Sequence, residues 1–400
     1  MKKSNLKNPF GKYNGNEGEY VLRALDTESK ENRGFPWVSE LEDKFCELSS
    51  SKHAIAVNSG TSGLHAALVA ADVGPGDEVI QPALTVVMNS FVTLACGATP
   101  VYADINPNTW NIDASSIKEK ITQNTKAIMA VSLFGLPLDM EPIMKLAKEH
   151  NLLVIDDSAE TICGSYKEKF PGTHADMAVY SFENKKHMTS GSEGGMVITS
   201  NPDLAQKVRK FAGIGYKNLN ASAGRDSIDF SQFQDPNYER QDFIGLNYRM
   251  NVITAAVGLA QLERAEYLVN RRISIAKMFE EVIDDCDYLV PQATSEDSIH
   301  SYFTYAIKYL GEELKGISWK EFYRMYTSMG GNGFYAAWKN PYLEPALKGK
   351  KLGDITLEKG LCPIAEECQK LLMLFKTNHR DPEEAKKDVK ILNDLIKEIG

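Results

Sequence analysis

Short apolar runs alternating with amphipathic stretches set the pattern of this chain. Ala54 to Val57, Glu78 to Gln81, Thr99 to Asp104, Ala127 to Ser132, Leu152 to Ile155, Ala178 to Tyr180 and Met196 to Ile198 are brief and mostly apolar, which predicts buried strands. Between them, Ser62 to Ala71, Thr85 to Cys96, Ser115 to Ile121 and Met140 to His150 read as helices. This rhythm predicts an α/β fold with a mostly parallel central sheet covered by helices. Upstream, residues 1–35 read as an arm with an amphipathic helix over Glu17 to Leu25, followed by a helix from Pro36 to Ser49. Downstream, Pro202 to Ala212 is a helix, 213–243 is irregular and polar, and Val252 to Ala265 is a helix that runs on to Ile283. The pattern then changes to a strand-like His300 to Leu310, a helix from Trp319 to Met329, the aromatic-rich GGNGFYAAW and a lysine-rich C-terminal helix. The expected organisation is a large domain with an N-terminal arm, residues 1–264, and a smaller α+β domain, residues 265–400.

Ligands of parallel sheets bind outside the carboxyl ends of the strands. Ser59–Ser62, Asp156-Asp157 and Ser181–Lys186 each follow a strand directly, so all three can meet in one crevice. The first is a turn leading into a helix whose free N–H groups suit a phosphate, although plain strand–turn–helix packing fits it equally well. In the second, a carboxylate ending an apolar strand is costly without a positive partner, and the pyridinium nitrogen of pyridoxal phosphate (PLP) is one such partner. Strand alternation sends Asp156 and Asp157 to opposite faces, so only one of them faces the crevice. The third carries Lys185 and Lys186 before a glycine-rich turn through Gly191, Gly194 and Gly195. A partly neutral lysine there can form a Schiff base with a carbonyl compound, but taken alone such a pair is far more often solvated surface charge.

Composition removes several classes. With 43% hydrophobic and 25% charged residues, the 400-residue chain has the make-up of a soluble globular protein. A net charge of −9 with the signs dispersed argues against a nucleic-acid partner. No apolar stretch approaches the roughly 18–20 residues of a membrane span. The basic N-terminus has no apolar region behind it, so no secretory signal is expected. Six scattered cysteines without CxxC spacing predict neither a disulfide framework nor a metal site, and reduced thiols point to the cytoplasm.

The motifs GTSGLHAAL, GDEVIQPALTVV, GATPVYADI, VIDDSAE, SFENKKHMTSGSEGGMV and GLNYRMNVITAAVGLAQLE occur in an order that resembles the DegT/DnrJ/EryC1/StrS family of sugar aminotransferases. The resemblance is strong over residues 9–266 and looser beyond. It implies the fold-type I PLP-transferase architecture, PLP as cofactor and a homodimer with shared active sites. Lys186, five positions after Ser181, matches the family's Schiff-base lysine, and Asp157 matches the acid at the pyridine nitrogen. Gly60, Thr61, Ser62 and Ser181 match the phosphate cradle, and Asn247 an asparagine that reaches the phosphate from the neighbouring subunit. Arg249, in the same NYR motif, is a candidate for substrate, as are His187 and Tyr335; a surface salt bridge serves Arg249 equally well. Phe334, Tyr335 and Trp338 form a candidate sugar or nucleotide patch, with core packing as the alternative, and His300 is either a site or a structural residue.

Three departures from the family stand out. Ser192 is inserted into the usual GEGG, so counting back from Glu193 lands on His187, and a dehydratase branch of the family replaces the lysine with histidine. Counting forward from Ser181, and matching KHMT as a unit, favours Lys186. Glu160 stands where a glutamine is common beside the cofactor's phenolic oxygen. Val86 stands where many members stack an aromatic ring on the cofactor. The resemblance implies amino transfer from glutamate or glutamine to a keto sugar, most often nucleotide-linked. The rivals are a PLP-dependent sugar dehydratase using His187 and a catalytically silent sugar-nucleotide binding protein.

Overall fold

A computed structural model describes residues 11–26, 28–29, 34–222 and 229–400. Parts of the expected arm (1–10, 27 and 30–33) and of the irregular segment (223–228) lie outside the described residues. The strands of the first half are β1 (His53–Val57), β2 (Glu78–Pro82), β3 (Thr99–Ala103), β4 (Thr125–Val131), β5 (Leu153–Asp157), β6 (Ser165–Tyr166), β7 (Met177–Ser181) and β8 (Gly195–Thr199). Seven of them form one sheet in the order β1-β8-β7-β5-β4-β2-β3. The pairings among β7, β5, β4, β2 and β3 are parallel, whereas β8 is antiparallel to both β7 and β1. The connection from β7 to β8 forms no helix that could carry the chain back to the other end, so it returns as a turn. That turn is the loop bearing Lys186.

The helices are α1 (Glu17–Leu25), α2 (Trp37–Ser49), α3 (Gly60–Ala70), α4 (Met88–Ala95), α5 (Ala114–Lys120), α6 (Met140–His150), α7 (Pro202–Ala212), α8 (Val252–Leu262), α9 (Ala265–Ile283), α10 (Gly311–Lys315), α11 (Trp319–Ser328), α12 (Pro363–Leu371) and α13 (Pro382–Ile399). Strand alternation decides what they cover. Ile55, Val57, Val179 and Val197 face α3 and α7, while Ala54, Ala56, Tyr180 and Met196 face α2 and α8. Helix α3 lies unusually close to the sheet, because a Cβ at Gly63 would come within 2.7 Å of Val179 Cγ1. That approach sets its N-terminus directly over the ends of β7 and β8.

The C-terminal part adds β9 (Leu289–Pro291), β10 (Ser298–Ile299), β11 (Thr304–Tyr309), β12 (Tyr335–Ala336), the hairpin β13–β14 (Lys351–Leu352, Ile355–Thr356) and β15 (Leu372–Lys376). Four of these make an antiparallel sheet, β12-β15-β11-β9. Three expectations change. The long helix from Val252 to Ile283 is two helices, α8 and α9, parted at Glu263-Arg264, where Arg264 leaves helical geometry. Both residues at the break anchor the N-terminal region: Glu263 accepts from Tyr20 and Asn16, and Arg264 donates to Asn14. The strand expected from His300 begins only at Thr304. The candidate aromatic patch is divided, since Phe334 is buried in the C-terminal core, Tyr335 is exposed and Trp338 stacks on Phe134.

Residue 265 marks no gap in packing. The first turns of α9 (Ala265, Val269) belong to the core of α8, whereas Ile275, Phe279 and Ile283 belong to that of β11, α11 and α13. A further cluster joins Leu84, Tyr102 and Phe134 to Ala306, Tyr342 and Leu374. Among the described residues, no helix is long and apolar enough to cross a membrane, and no group of His, Cys, Asp or Glu could hold a metal ion. The six cysteines are free thiols, two buried and four half-buried.

Candidate active site

The crevice begins at the N-terminus of α3. Ser59 caps the helix, its Oγ accepting from the Ser62 amide at 3.1 Å and lying 2.7 Å from Ser62 Oγ. The amides of Gly60 and Thr61 precede the first helical hydrogen bond, from Gly63 N to Ser59 O, and so point out of the helix end. A Cβ at Gly60 would come within 3.0 Å of Ser181 Cβ, and one at Gly195 within 2.8 Å of Gly60 N. Glycine at both positions thus lets the helix end close on β7 and β8, with Ser181 packed against Gly60. Donors, dipole and missing side chains suit a phosphate group.

Asp156 and Asp157 end β5, both almost wholly buried, and the alternation of the strand parts them. Asp157 Oδ2 accepts from Asn89 Nδ2 at 3.0 Å and Oδ1 from Ala159 N at 3.1 Å. Burial pushes its pKa above the ordinary carboxylate value, opposed by those two hydrogen bonds and by the nearby Lys186 charge. Asp156 instead accepts from Ser132 Oγ at 3.1 Å, and burial raises its pKa from 3.8 to about 7. Between those values the folded chain keeps a proton that the unfolded chain has released. Stability therefore falls as pH rises from about 4 to about 7, and the contribution is fully present below about 4. Asp156→Asn should flatten that slope by up to about 1.4 kcal/mol per pH unit, measured as denaturant midpoints across the interval. Parallel slopes in the two proteins would contradict the burial argument.

Lys186 sits on the β7–β8 loop, with its Nζ 3.2 Å from Glu160 Oε1 and 4.4 Å from the centre of the Phe303 ring. Glu160, buried, uses its other oxygen to accept from Phe134 N at 3.1 Å. Its charge is thus drawn to the lysine instead of standing free beside the site. The buried Arg272 guanidinium holds the loop from below, donating to the carbonyls of Lys185 (2.8 Å), Lys186 (3.0 Å) and Phe303 (2.7 Å). Phe134 has left-handed backbone (φ 61°) beside Gly135, where a Cβ would come within 2.6 Å of Tyr302 N. The segments 133–135 and 301–303 therefore meet as one wall. The extra Ser192 lies in the exposed turn Gly191–Glu193. A Cβ at the neighbouring Gly194 would come within 2.0 Å of Ser190 Oγ and would displace that hydroxyl from its bond to Glu193 O. Ser192 bridges back to Glu183 on the other side of the loop.

Other candidates lie elsewhere. His187 is buried with its Nε2 2.9 Å from Ser301 O, and burial together with the Arg272 charge pushes its pKa well below the usual imidazole value. Lys186 Nζ thus reaches Glu160 and the face of Phe303, whereas the His187 ring meets the Ser301 carbonyl. His300 is a packed residue, stacked on Tyr302 at 3.8 Å and 3.1 Å from Gln292 Oε1. Asn247 and Arg249 are exposed, with Arg249 Nε donating to Asn247 Oδ1 at 2.9 Å. Their segment meets the end of β1 through backbone, with Asn58 N donating to Tyr248 O at 2.8 Å and Val57 bridged to Arg249. Tyr335 is exposed beneath Lys376 Nζ at 5.4 Å and belongs to the small sheet. Asn89, Phe134, Arg272 and Phe303 were not candidates from sequence, because each meets the site through contacts distant along the chain. An Asn four residues after a Thr at a helix start was the one available signal.

The residues present fit PLP. A buried carboxylate short of a cation, an amine on a rigid loop and a helix end stripped of side chains are what its ring nitrogen, aldehyde and phosphate require. Sequence and structure comparisons agree with this reading. The DegT/DnrJ/EryC1/StrS aminotransferase family matches the chain over residues 13–346. The chain is 43% identical over 269 residues to the GDP-perosamine synthase of Caulobacter vibrioides, covering 67% of each protein. It is 38% identical over 296 residues to the GDP-perosamine synthase of Escherichia coli O157:H7, covering 73% of this chain and 75% of that one. The crystal structure of an aminotransferase from Psychrobacter cryohalolentis superposes with a TM-score of 0.85 at 28% identity, over 96% of this chain and 97% of that one. With a match running through every element that builds the crevice, the chain belongs to the DegT/DnrJ/EryC1/StrS aminotransferase family.

Proposed function

We propose that this chain is a PLP-dependent aminotransferase that moves an amino group from glutamate, or glutamine, to a nucleotide-linked 4-keto-6-deoxyhexose. The observation that carries the reading is the meeting of Lys186 with Glu160 beside the buried Asp157, over a helix end suited to phosphate. PLP, when bound, supplies a ring that accepts the electron pair left when a substrate C–H bond breaks. Asp157 holds the proton on the ring nitrogen that makes this possible. The Lys186 amine moves a proton between the donor's α-carbon and the cofactor's C4′, as general base and then acid. Glu160 keeps that amine oriented, and the α3 N-terminus with Ser62 and Ser181 fixes the phosphate.

The similarity to two GDP-perosamine synthases supports a guanosine diphosphate sugar as acceptor. The test is incubation with PLP, glutamate and GDP-, dTDP- and UDP-linked 4-keto-6-deoxyhexoses, read by mass spectrometry. Glutamate-dependent conversion of ketone to amine on the GDP sugar is expected. Loss of water without net amination would favour the dehydratase, and binding without turnover the silent binding protein. The reading includes a homodimer in which Asn247 of each copy reaches the other's cofactor phosphate. Asn247 is exposed in the single chain beside Ile244 (91% exposed) and Leu246 (44%), apolar side chains that a second copy would cover. A monomeric mass by light scattering would remove that part. Free thiols throughout support the cytoplasm as the compartment.

A further inference from the structure

We infer that Asn89 is the positioning residue for Asp157, aiming its carboxylate at the cofactor's ring nitrogen, and that Thr85 fixes the direction of the Asn89 amide. The inference rests on the role proposed above for Asp157. Asn89 lies in the first turn of α4 and is fully buried, as is Thr85 just before the helix. Asn89 Nδ2 donates to Asp157 Oδ2 at 3.0 Å and lies 3.1 Å from Met129 Sδ, while Thr85 Oγ1 donates to Asn89 Oδ1 at 3.0 Å.

The amide can face only one way in this arrangement. Turned over, it would set its oxygen directly against the ionised carboxylate, acceptor to acceptor. The Thr85 hydroxyl supports the productive orientation by bonding the amide oxygen. Asp157 thus has one neutral donor on each oxygen, Asn89 on Oδ2 and Ala159 N on Oδ1. Burial favours the neutral acid, and the Asn89 bond is the largest influence opposing it. Both influences matter here, because a neutral acid in the wrong rotamer could not hold a proton on the ring nitrogen.

Asn89 also belongs to a wider buried polar group. Its carbonyl accepts from Thr93 Oγ1 at 2.9 Å, and Gln81, Ser90 and Tyr102 are linked nearby. The competing role is therefore structural, and the experiment must separate the two. Asn89→Leu, Thr85→Val and Thr85→Ser are compared with the wild type, all loaded with PLP. The readouts are kcat and KM for glutamate, visible absorbance against pH, and thermal stability. Asn89→Leu should lower kcat about 10- to 100-fold, the range of a hydrogen bond to a charged group, with KM for glutamate little changed. It should also shift the pH midpoint of the absorbance. Thr85→Val should do the same more weakly, and Thr85→Ser should restore wild-type behaviour. If stability falls while the absorbance–pH curve stays at its wild-type position, Asn89 is structural and the inference fails. Should Asn89→Leu not fold, an unshifted curve in Thr85→Val overturns it equally. A wild type without a visible band would refute the assignment of Lys186 and Asp157 themselves.

Discussion

Lys186→Ala should abolish both amino transfer and the visible absorbance of the PLP-loaded protein. Two functions reside in one nitrogen: the covalent hold on the cofactor aldehyde and the proton transfer that follows. Proton transfer alone accounts for about 10²–10⁴ in rate, so with the covalent contribution added the expected loss exceeds about 10⁴-fold. The lysine is also the cationic partner of Glu160, at 3.2 Å with both side chains largely buried. Removing it leaves a buried carboxylate that still accepts from the Phe134 backbone amide but has lost its cation at 3.2 Å, so some loss of stability is expected. A small primary amine added to Lys186→Ala separates the two consequences. Partial return of turnover, with no return of stability, would assign the chemical role to the nitrogen itself. Retained transfer by a coloured Lys186→Ala protein would end the assignment. His187→Asn is not expected to imitate it, because that ring is engaged with the Ser301 carbonyl and turned from Glu160.

How far the site could be read from sequence depends on the range of the contacts involved. Asp157 and Lys186 lie at strand ends, where period-two alternation and the rule for parallel sheets carry information over a few residues. The helix end at Gly60–Ser62 is similarly local, needing only the Ser59 cap and the glycine after it, whereas its closure on Ser181 and Gly195 is not. Glu160 was identified by its place in the motif, but nothing local reports its pairing with Lys186, 26 positions away in sequence. Arg272 reaches the Lys186 carbonyl across 86 positions, and Asn89 reaches Asp157 across 68. No periodicity reports such pairs. The break between α8 and α9 was hidden for the same reason, since its tethers come from residues 14–20. In the C-terminal part, the short strands β9, β10, β12, β13 and β14 are too brief to show alternation, and the aromatic run around Phe334 reads alike as core or surface.

Asp157→Asn is the more discriminating experiment, because it keeps shape and removes only charge. The amide offers the ring nitrogen either an N–H, which cannot hold a proton there, or a neutral oxygen that holds one weakly. Asn89 would then face an amide able to rotate, where the carboxylate had presented an acceptor in every orientation. Loss of kcat by about 10²–10⁴ is expected, with glutamate KM little changed, since the charge matters at the moment the ring takes up the electron pair. Asp156→Asn provides the control on the same backbone. Its carboxyl is as deeply buried but bonds Ser132 on the other face of the strand, so amination should persist even as the pH dependence of stability changes. The opposite pattern, normal kinetics in Asp157→Asn and inactive Asp156→Asn, would require β5 to present its other face to the cofactor. A one-residue slip of that strand would carry Ile155 and Asp157 away from the α3 side, breaking the pairings with β4 and β7 that hold the sheet together.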